Sequence, residues 1–409
     1  MSIRKESEKL EPYLIDIRRK IHENPELGFQ EHETVKLIKT ELEKLKIPYI
    51  DGIAITGIVA TIEGGKGPGK TLLIRADMDA LPLVEETKLP FKSKNEGVFH
   101  ACGHDSHVSM LLGAANILKN RSSDFKGKIK LVFQPAEETS TVYDPKGSGG
   151  ALPMIQEKPE EFKVDASLAL HIFASEDKDF DLGKISIIDG PCMGSADELM
   201  VTIKGKGGHA SKPHLAIDPV YIASQINVAV QGYISRTVNP VEPHVFTTGK
   251  IVGGFRHNII SETCSMECTI RTLNEEIREK LLQEIPLFIN NIAKAYGGEA
   301  DVQLIRGYPV GKNAKEMNIH IAKTVKELYG EQALVHKEQA TLGAEDFFEF
   351  GFKNKIPIAM FWLGASNRKE GKIHYNHSNR FDFDEKAMPI GVSVLVGTAL
   401  SFLNDWIKS

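Results

Sequence analysis

Short apolar runs that alternate with helical stretches restrict the fold of this chain more than any other feature. Four such runs, at 57–62, 71–74, 130–133 and 166–170, are bounded by glycine, proline or charged residues, and a helical stretch at 108–118 lies among them. Runs of this length are typical of buried strands. Strands and helices in alternation predict an α/β fold in which a mostly parallel sheet lies between helices.

The pattern changes near residue 190. Strands are predicted at 199–204, 245–251, 262–273 and 301–305, and helices at 219–234 and 274–295. This β-α-β-β-α-β order is the ferredoxin-like, or split βαβ, arrangement. After residue 312 the earlier pattern of helices and strands returns. Because 409 residues exceed what one core usually covers, we predict a domain at 190–308 inserted into a discontinuous α/β domain formed by 1–189 and 309–409.

Composition excludes several classes of protein. The net charge of −5 argues against a general nucleic-acid binder. The charged amino terminus lacks the apolar stretch of a secretory signal, and the most apolar segment, 388–403, is interrupted by Pro389 and Gly391 and predicts a buried helix rather than a membrane span. Four cysteines are too few for a disulfide scaffold, so we expect a cytoplasmic protein with no membrane or nucleic-acid partner.

The densest cluster of candidate ligands is His100-Ala-Cys-Gly-His-Asp-Ser-His107, which holds three histidines, a cysteine and an aspartate. Thiolate and imidazole together suit zinc and other transition metals. The alternative is a solvated loop that enters a helix, with Asp105 or Ser106 as the helix cap. Five potential ligands at one helix start favour the metal site.

Three predicted strands run into acidic or histidine side chains: Asp77 and Asp79, Glu137 and Glu138, and His171. Ligands of open α/β sheets bind outside the carboxyl ends of the strands. Adjacent residues there point to opposite sides, so one glutamate could bind metal while its neighbour acts as a general base. A single strand-end carboxylate is more often a cap or turn residue, but three successive strands favour a site.

Further candidates lie elsewhere in the chain. His374 and His377 occupy a polar loop after a predicted strand, where either could be a surface residue. In the inserted domain, glycines that allow unusual backbone angles precede His209, Asn258 lies in a loop between strands, and Arg271 ends a strand. An arginine can hold a carboxylate with two parallel hydrogen bonds, although a surface charge is the more common role.

Eight stretches, in order along almost the whole chain, resemble peptidase family M20 and, within it, the amidohydrolase branch (subfamily D). That branch includes aminoacylase-like enzymes, hippurate hydrolases, auxin-conjugate hydrolases and thermostable carboxypeptidases. The stretches are HENPELGFQEHET, RADMDALP, HACGHDSH, FQPAEE, GKGGHASKPH, HNIISE, GAEDF and HYNHSNRFDFDE.

The resemblance implies two divalent metal ions in each subunit. We expect zinc, with cobalt, manganese and nickel as alternatives. Cys102 would bridge the two ions, and the set of metal ligands by motif match is Cys102, His104, Glu138, His171 and His377. The roles of Asp77, His107 and Glu345 stay open; Glu345 is a hallmark of the family, and His107 is as readily interpreted as a residue of the helix face.

The resemblance also assigns roles around the metals. Glu137 would be the general base and Asp79 would orient a metal ligand. His209 would stabilise the oxyanion, in some relatives from the other subunit, and Asn258 and Arg271 would hold the free carboxylate of the substrate. The ten residues at 139–148 depart from the family pattern and are expected to reshape the acyl pocket.

These assignments predict a hydrolase that cleaves the amide bond of N-acyl amino acids or of short peptides with a free C-terminal carboxylate. Its partner would be this small-molecule substrate, and it would form a homodimer or homotetramer through the inserted domain, which would act as a lid and dimerisation domain. Abundant Lys, Glu and Ile indicate a thermostable protein. The alternative is a non-catalytic protein that binds amino acids or their conjugates on the same scaffold.

Overall fold

The structure is a computed structural model, and it describes residues 1–138, 149–337 and 339–405. The chain divides into two compact units. The first comprises Met1–Gly190, Lys312–Gln339 and Asp346–Ser409, and the second comprises Pro191–Gly311 and Ala340–Glu345. The predicted catalytic domain included 340–345, whereas this segment belongs to the second unit. It does so because the N–H of Thr341 donates to the carbonyl of Cys192 at 3.1 Å, a contact between distant parts of the sequence.

The described ranges contain ten α-helices. They are α1 Ile3–Lys9, α2 Glu11–Glu23, α3 His32–Lys44, α4 His104–Asn120, α5 Ala151–Glu157, α6 Pro219–Thr237, α7 Glu275–Ala295, α8 Lys315–Tyr329, α9 Glu349–Asn354 and α10 Ala387–Asn404.

Sixteen strands lie in the same ranges. They are β1 Tyr49–Ile53, β2 Gly57–Glu63, β3 Thr71–Asp77, β4 Lys128–Gln134, β5 Ala166–Phe173, β6 Ile185–Ile187, β7 Gly190–Met193, β8 Asp197–Lys204, β9 Gly208–His209, β10 His244–Gly253, β11 Ile259–Ile260, β12 Thr263–Thr272, β13 Glu299–Arg306, β14 Gly311–Asn313, β15 Leu334–His336 and β16 Ile358–Gly364.

The first unit is built on an eight-stranded sheet in the order β1-β2-β4-β3-β5-β16-β6-β15. The central strands β4, β3, β5 and β16 are parallel neighbours. Every residue of β16 is buried, as expected where helices cover both faces of a sheet. The predicted mostly parallel α/β fold is confirmed. In this register Asp77 lies opposite Gln134, so the ends of β3 and β4 coincide.

Helices α4 and α10 belong to the core of the first unit. Glycines let them pack closely, since a Cβ atom on Gly391 would lie 2.4 Å from the sulfur of Met110. In the described part of the chain, Ala387–Asn404 is the one helix that is long and apolar enough to cross a membrane. Of its 18 residues, 72% are buried inside the fold, which is how a core helix reaches this composition. The buried helix predicted at 388–403 is confirmed.

The second unit has the predicted β-α-β-β-α-β order. Its four-stranded sheet runs β10-β12-β8-β13, and all three pairs of neighbours are antiparallel. Side-chain oxygens cap both helices: Asp218 accepts from the N–H groups of Val220 and Tyr221, and Asn274 does the same at the start of α7. Cys264 and Cys268 are free thiols in the core of this unit.

Candidate metal centre and active site

A tight turn at the start of α4 places Cys102 and His104 beside the strand ends of the first unit. Gly103 precedes the helix in the left-handed conformation, with φ 92°. A Cβ atom at this position would lie 2.5 Å from Cγ2 of Ile172 on β5, so both the backbone angle and the space require glycine. The turn therefore fixes both candidate ligands against β5.

His104 is oriented so that one ring nitrogen faces carboxylates. Its Nδ1 donates to the carbonyl of Asp79 at 3.0 Å. Although burial lowers it, the carboxylates of Asp77, Asp79 and Glu138 raise the pKa of His104 to about 10, so Nε2 carries a proton where no metal replaces it. That Nε2 lies 3.5 Å from Asp77 Oδ2 and 4.0 Å from Glu138 Oε1. It is buried and has no hydrogen-bond partner in the described residues. A positive charge on this side of the ring, carried by a proton or by a metal ion in its place, balances the two carboxylates.

His171 is held in the same way. Its Nδ1 donates to the carbonyl of Ile172 at 2.7 Å, and its Nε2 lies 3.3 Å from the sulfur of Cys102. Burial, together with the nearby His107, lowers the pKa of His171 to about 3. The imidazole is therefore neutral at physiological pH, which is the form that binds metals.

The loop after β16 brings His377 to the same place. Its backbone is left-handed, with φ 68°, and its N–H donates to the carbonyl of Ala101 at 2.8 Å. Asn376 supports the loop by donating to the carbonyl of Cys102 at 2.8 Å. His377 Nε2 lies 2.8 Å from Glu138 Oε1, and this carboxylate raises the pKa of His377.

The candidate ligands form overlapping groups. In each of the following sets, the ligand atoms lie within 4.8 Å of one another: Cys102 with His104 and His171, Cys102 with Glu138 and His377, and His104 with Glu137 and Glu138. Burial and the nearby carboxylates raise the pKa of the Cys102 thiol, so a cation is needed to favour the thiolate. Cys102 belongs to two of these groups, and the nitrogen, sulfur and oxygen donors would suit zinc or a similar divalent ion.

Glu137 lies in a turn after β4 that is held on both sides. Before it, Ala136 is left-handed with φ 54°, a conformation that costs a residue other than glycine about 1–2 kcal/mol. The N–H of Ala136 donates to Oε1 of Glu31 at 2.9 Å. After it, the N–H of Glu138 donates to Oδ2 of Asp79 at 2.8 Å. Asp79 therefore positions both His104 and the glutamate pair.

His107 does not have a ring nitrogen available for a metal. Its Nδ1 donates to Asp77 Oδ1 at 2.6 Å, and its Nε2 accepts from the N–H of Ile172 at 2.9 Å. Asp77 also accepts from Arg75 at 2.5 Å, and these cationic and donor neighbours keep the pKa of Asp77 low despite complete burial. His107 and Asp77 thus connect α4, β3 and β5 behind the candidate ligands.

The other three predicted site residues belong to the second unit. His209 is in β9, which pairs with β11, and the carbonyl of Asn258 accepts from the N–H of Ala210 at 3.1 Å, so His209 and Asn258 are neighbours. The N–H of Ser211 donates to His209 Nδ1 at 3.1 Å, which leaves Nε2 as the protonated nitrogen. Arg271 is in β12 and donates from Nη1 to the carbonyl of Leu342 at 3.1 Å.

Comparison with known proteins identifies the family. Residues 73–401 match the pattern of the family described as peptidase family M20/M25/M40. The chain belongs to this family. It is 39% identical to thermostable carboxypeptidase 2 of Saccharolobus solfataricus over 98% of each chain. It is 35% identical to the N-acetylcysteine deacetylase of Bacillus subtilis, over 92% of this chain and 93% of the relative. M20 membership, predicted from the motifs, is confirmed, and the chain is an M20-family hydrolase.

A solved structure of the same family is closely similar. A dinuclear metal-binding M20 peptidase from Bacillus subtilis superposes with a TM-score of 0.80 at 31% identity, covering 98% of this chain and all of the other. The ten residues at 139–148, predicted to reshape the acyl pocket of this M20 protein, lie outside the described residues.

Some residues behind the M20 site were missed by sequence reasoning. Arg75 is buried and donates to Gln134 Oε1 at 2.8 Å and to Asp346 Oδ1 at 3.1 Å. Gln134 donates to the same aspartate at 2.7 Å. All three belong to the quoted M20 motifs, so the signal was present. The motif beginning at Gly343 drew attention to Glu345, whereas the hydrogen bonds to Arg75 and Gln134 are made by its neighbour Asp346.

Proposed function

We propose that this protein hydrolyses the amide bond of N-acyl amino acids, or of short peptides with a free C-terminal carboxylate, using two divalent metal ions. One observation carries the proposal: two groups of candidate ligands share Cys102, and Glu137 stands at the end of β4 next to them. Zinc is the metal that we propose, since thiolate and imidazole together suit it.

In the proposed mechanism, residues of the first unit bind the metal ions, transfer the proton and orient a ligand. Cys102, His104, Glu138, His171 and His377 would hold the ions. Divalent ions in such a site lower the pKa of water towards about 7 and polarise an amide carbonyl. Glu137 takes a proton from the attacking water and passes it to the leaving nitrogen. Asp79 orients the ring of His104 by accepting from Nδ1 through its carbonyl, which directs Nε2 towards Asp77 and Glu138.

For the second unit we propose the roles that the family resemblance implies. His209 would donate from Nε2 to the oxyanion, and Asn258 and Arg271 would bind the carboxylate of the substrate. The similarity to a carboxypeptidase and to an N-acetylcysteine deacetylase supports substrates with an amino-acid carboxylate. We also propose a homodimer or homotetramer associated through the second unit, a cytoplasmic location and thermostability.

The test is release of free amino acids from a panel of N-acyl amino acids and dipeptides. We expect turnover on members of the panel and none on the corresponding amides that lack a carboxylate. The competing function is binding of amino acids or conjugates without catalysis. Saturable binding by folded, metal-loaded protein with no product from the panel would favour that alternative, although binding alone does not require a base at position 137.

Changing Arg271 to methionine should separate binding from catalysis. If Arg271 holds the carboxylate, its loss should raise KM about tenfold to a hundredfold and change kcat little, since hydrogen bonds between charged groups contribute about 1.5–3 kcal/mol. Steady-state kinetics on a good substrate of the panel measure this. Arg236, exposed on α6, gives the matched control R236M, which should behave as wild type. A loss in kcat with unchanged KM would contradict the assignment.

A further inference from the structure

We infer that Glu31 is a positioning residue for Glu137, acting through the backbone of Ala136 and supported by Thr56. The inference rests on the proposed function, because it takes Glu137 to be the general base. Glu31 precedes α3, in the stretch HENPELGFQEHET, and the proposed mechanism gives it no role.

Both carboxyl oxygens of Glu31 are engaged, although its side chain is fully buried. Oε1 accepts from the N–H of Ala136 at 2.9 Å, and Oε2 accepts from the hydroxyl of Thr56 at 2.5 Å. Burying a carboxyl group is unfavourable unless it makes such bonds. The bond to Ala136 joins positions 105 residues apart in the sequence, directly before the general base.

The bond is made where the backbone is strained. Ala136 adopts φ 54°, which residues other than glycine rarely do, and such conformations persist only where surrounding contacts impose them. Glu31 contacts the residue before Glu137, and Asp79 accepts from the residue after it. The two carboxyl groups therefore fix the backbone on both sides of the base.

Thr56 belongs to a second strained segment. The two residues before it, Ala54 and Ile55, are also left-handed, with φ 47° and 75°. The N–H of Ala54 donates to Glu157 Oε2 at 2.8 Å, which holds the turn between β1 and β2 in place. This turn presents the Thr56 hydroxyl to Glu31, so Glu31 links two strained turns, one of which leads into Glu137.

The requirement at position 31 is an accepting oxygen, not a negative charge. Burial and the charge of Asp79 raise the pKa of Glu31 to about 8, although the bonds from Thr56 and Ala136 favour the ionised form. A glutamine offers the same accepting oxygen to Ala136, and its amide can donate to the Thr56 hydroxyl. A glutamine at position 31 should therefore keep Glu137 in position, whereas an alanine should not.

The experiment compares E31A, E31Q and T56V in the full-length, metal-loaded protein. Because a small misplacement of a catalytic group lowers rates by up to about a hundredfold, E31A should lower kcat about tenfold to a hundredfold. We expect KM and bound metal to stay unchanged and E31Q to stay within about threefold of wild type. T56V, which removes one hydroxyl at nearly constant volume, should lower kcat about threefold to tenfold. It provides the test if E31A does not fold, and T40V, on the exposed face of α3, is its control.

The strained turn gives a readout that a merely structural role would not produce. Glycine adopts a left-handed conformation without strain, so an A136G background should reduce the kcat loss of E31A to less than about fivefold. The inference would be overturned if E31A lowered kcat equally with Ala136 and with Gly at position 136. It would also be overturned if E31Q lowered kcat as much as E31A does.

The Glu31 inference and the proposed function fail in different ways. Turnover that E137Q abolishes but that neither E31A nor T56V changes would overturn the role of Glu31 alone. Turnover that survives E137Q would overturn the base assignment, and with it the positioning role. Wild-type protein that releases no amino acid would overturn both.

Discussion

Replacing Glu137 with glutamine is expected to keep the bound metal and to lower kcat by about a hundredfold to ten-thousandfold, the usual contribution of a general base. The amide fills the same space, but it cannot take a proton from water. Glu137 shares its group with His104 and Glu138, so a change there could also disturb the ions. Metal content by elemental analysis must therefore be measured together with kcat.

The matched control is E160Q, an exposed glutamate of the same unit whose carboxylate pairs with Lys163 at 2.8 Å. It should show wild-type kcat and metal content. If E137Q loses metal in parallel with activity, Glu137 acts as a ligand rather than as the base. If E137Q keeps its turnover, another group removes the proton.

The strand ends were predictable because their signals are local. A buried run that ends in Asp77, Glu137 or His171 can be recognised within a window of ten residues, and parallel strands bring such ends to one edge. The ligand loop at Cys102 and His104 was equally visible, since five potential ligands occur in eight residues. The ferredoxin-like order of the second unit also followed from periodicity alone.

The buried network behind the site was not predictable from local pattern. Arg75 and Asp346 are separated by 271 residues, and Glu31 and Ala136 by 105. A buried carboxylate and a solvated one have the same local signature, because burial depends on what the rest of the chain packs against it. The left-handed backbone of Ala136 is a further example, since alanine carries no sequence signal for a positive φ.

The boundary between the two units also could not be predicted fully from local sequence pattern. The change in the pattern of predicted strands and helices locates the start of the inserted unit near residue 190. Ala340–Glu345 belongs to the same unit only through contacts with residues distant in the sequence. The carbonyl of Gly343 accepts from the N–H of Gly194 at 2.8 Å, and Leu342 accepts from Arg271. A short segment that returns to an earlier unit has no periodicity of its own, so only the tertiary contacts reveal it.

Removing the metals with a chelator should abolish turnover and lower the melting temperature, and one of zinc, cobalt or manganese should restore both. Without ions, His104 holds a proton beside Asp77 and Glu138, and the Cys102 thiol holds its proton. Ions that bind the folded form alone add stability that grows with the logarithm of their concentration divided by Kd. Amino-acid release and thermal unfolding of stripped and refilled protein measure the two effects, and the metal that restores turnover is the working ion.

Comparing substitutions of two separate cysteines, Cys102 and Cys192, supplies the control for this experiment. Cys102 and Cys192 are both buried cysteines that form no disulfide, but only Cys102 lies in the candidate ligand groups of the described residues. C102A should therefore lose metal and turnover together, whereas C192A should keep both, because the sulfur of Cys192 contacts the carbonyl of Gly311 at 3.4 Å and no proposed ligand role depends on it. Turnover that survives stripping, or metal content that C102A leaves unchanged, would contradict a shared thiolate and require a different assignment of the ion positions.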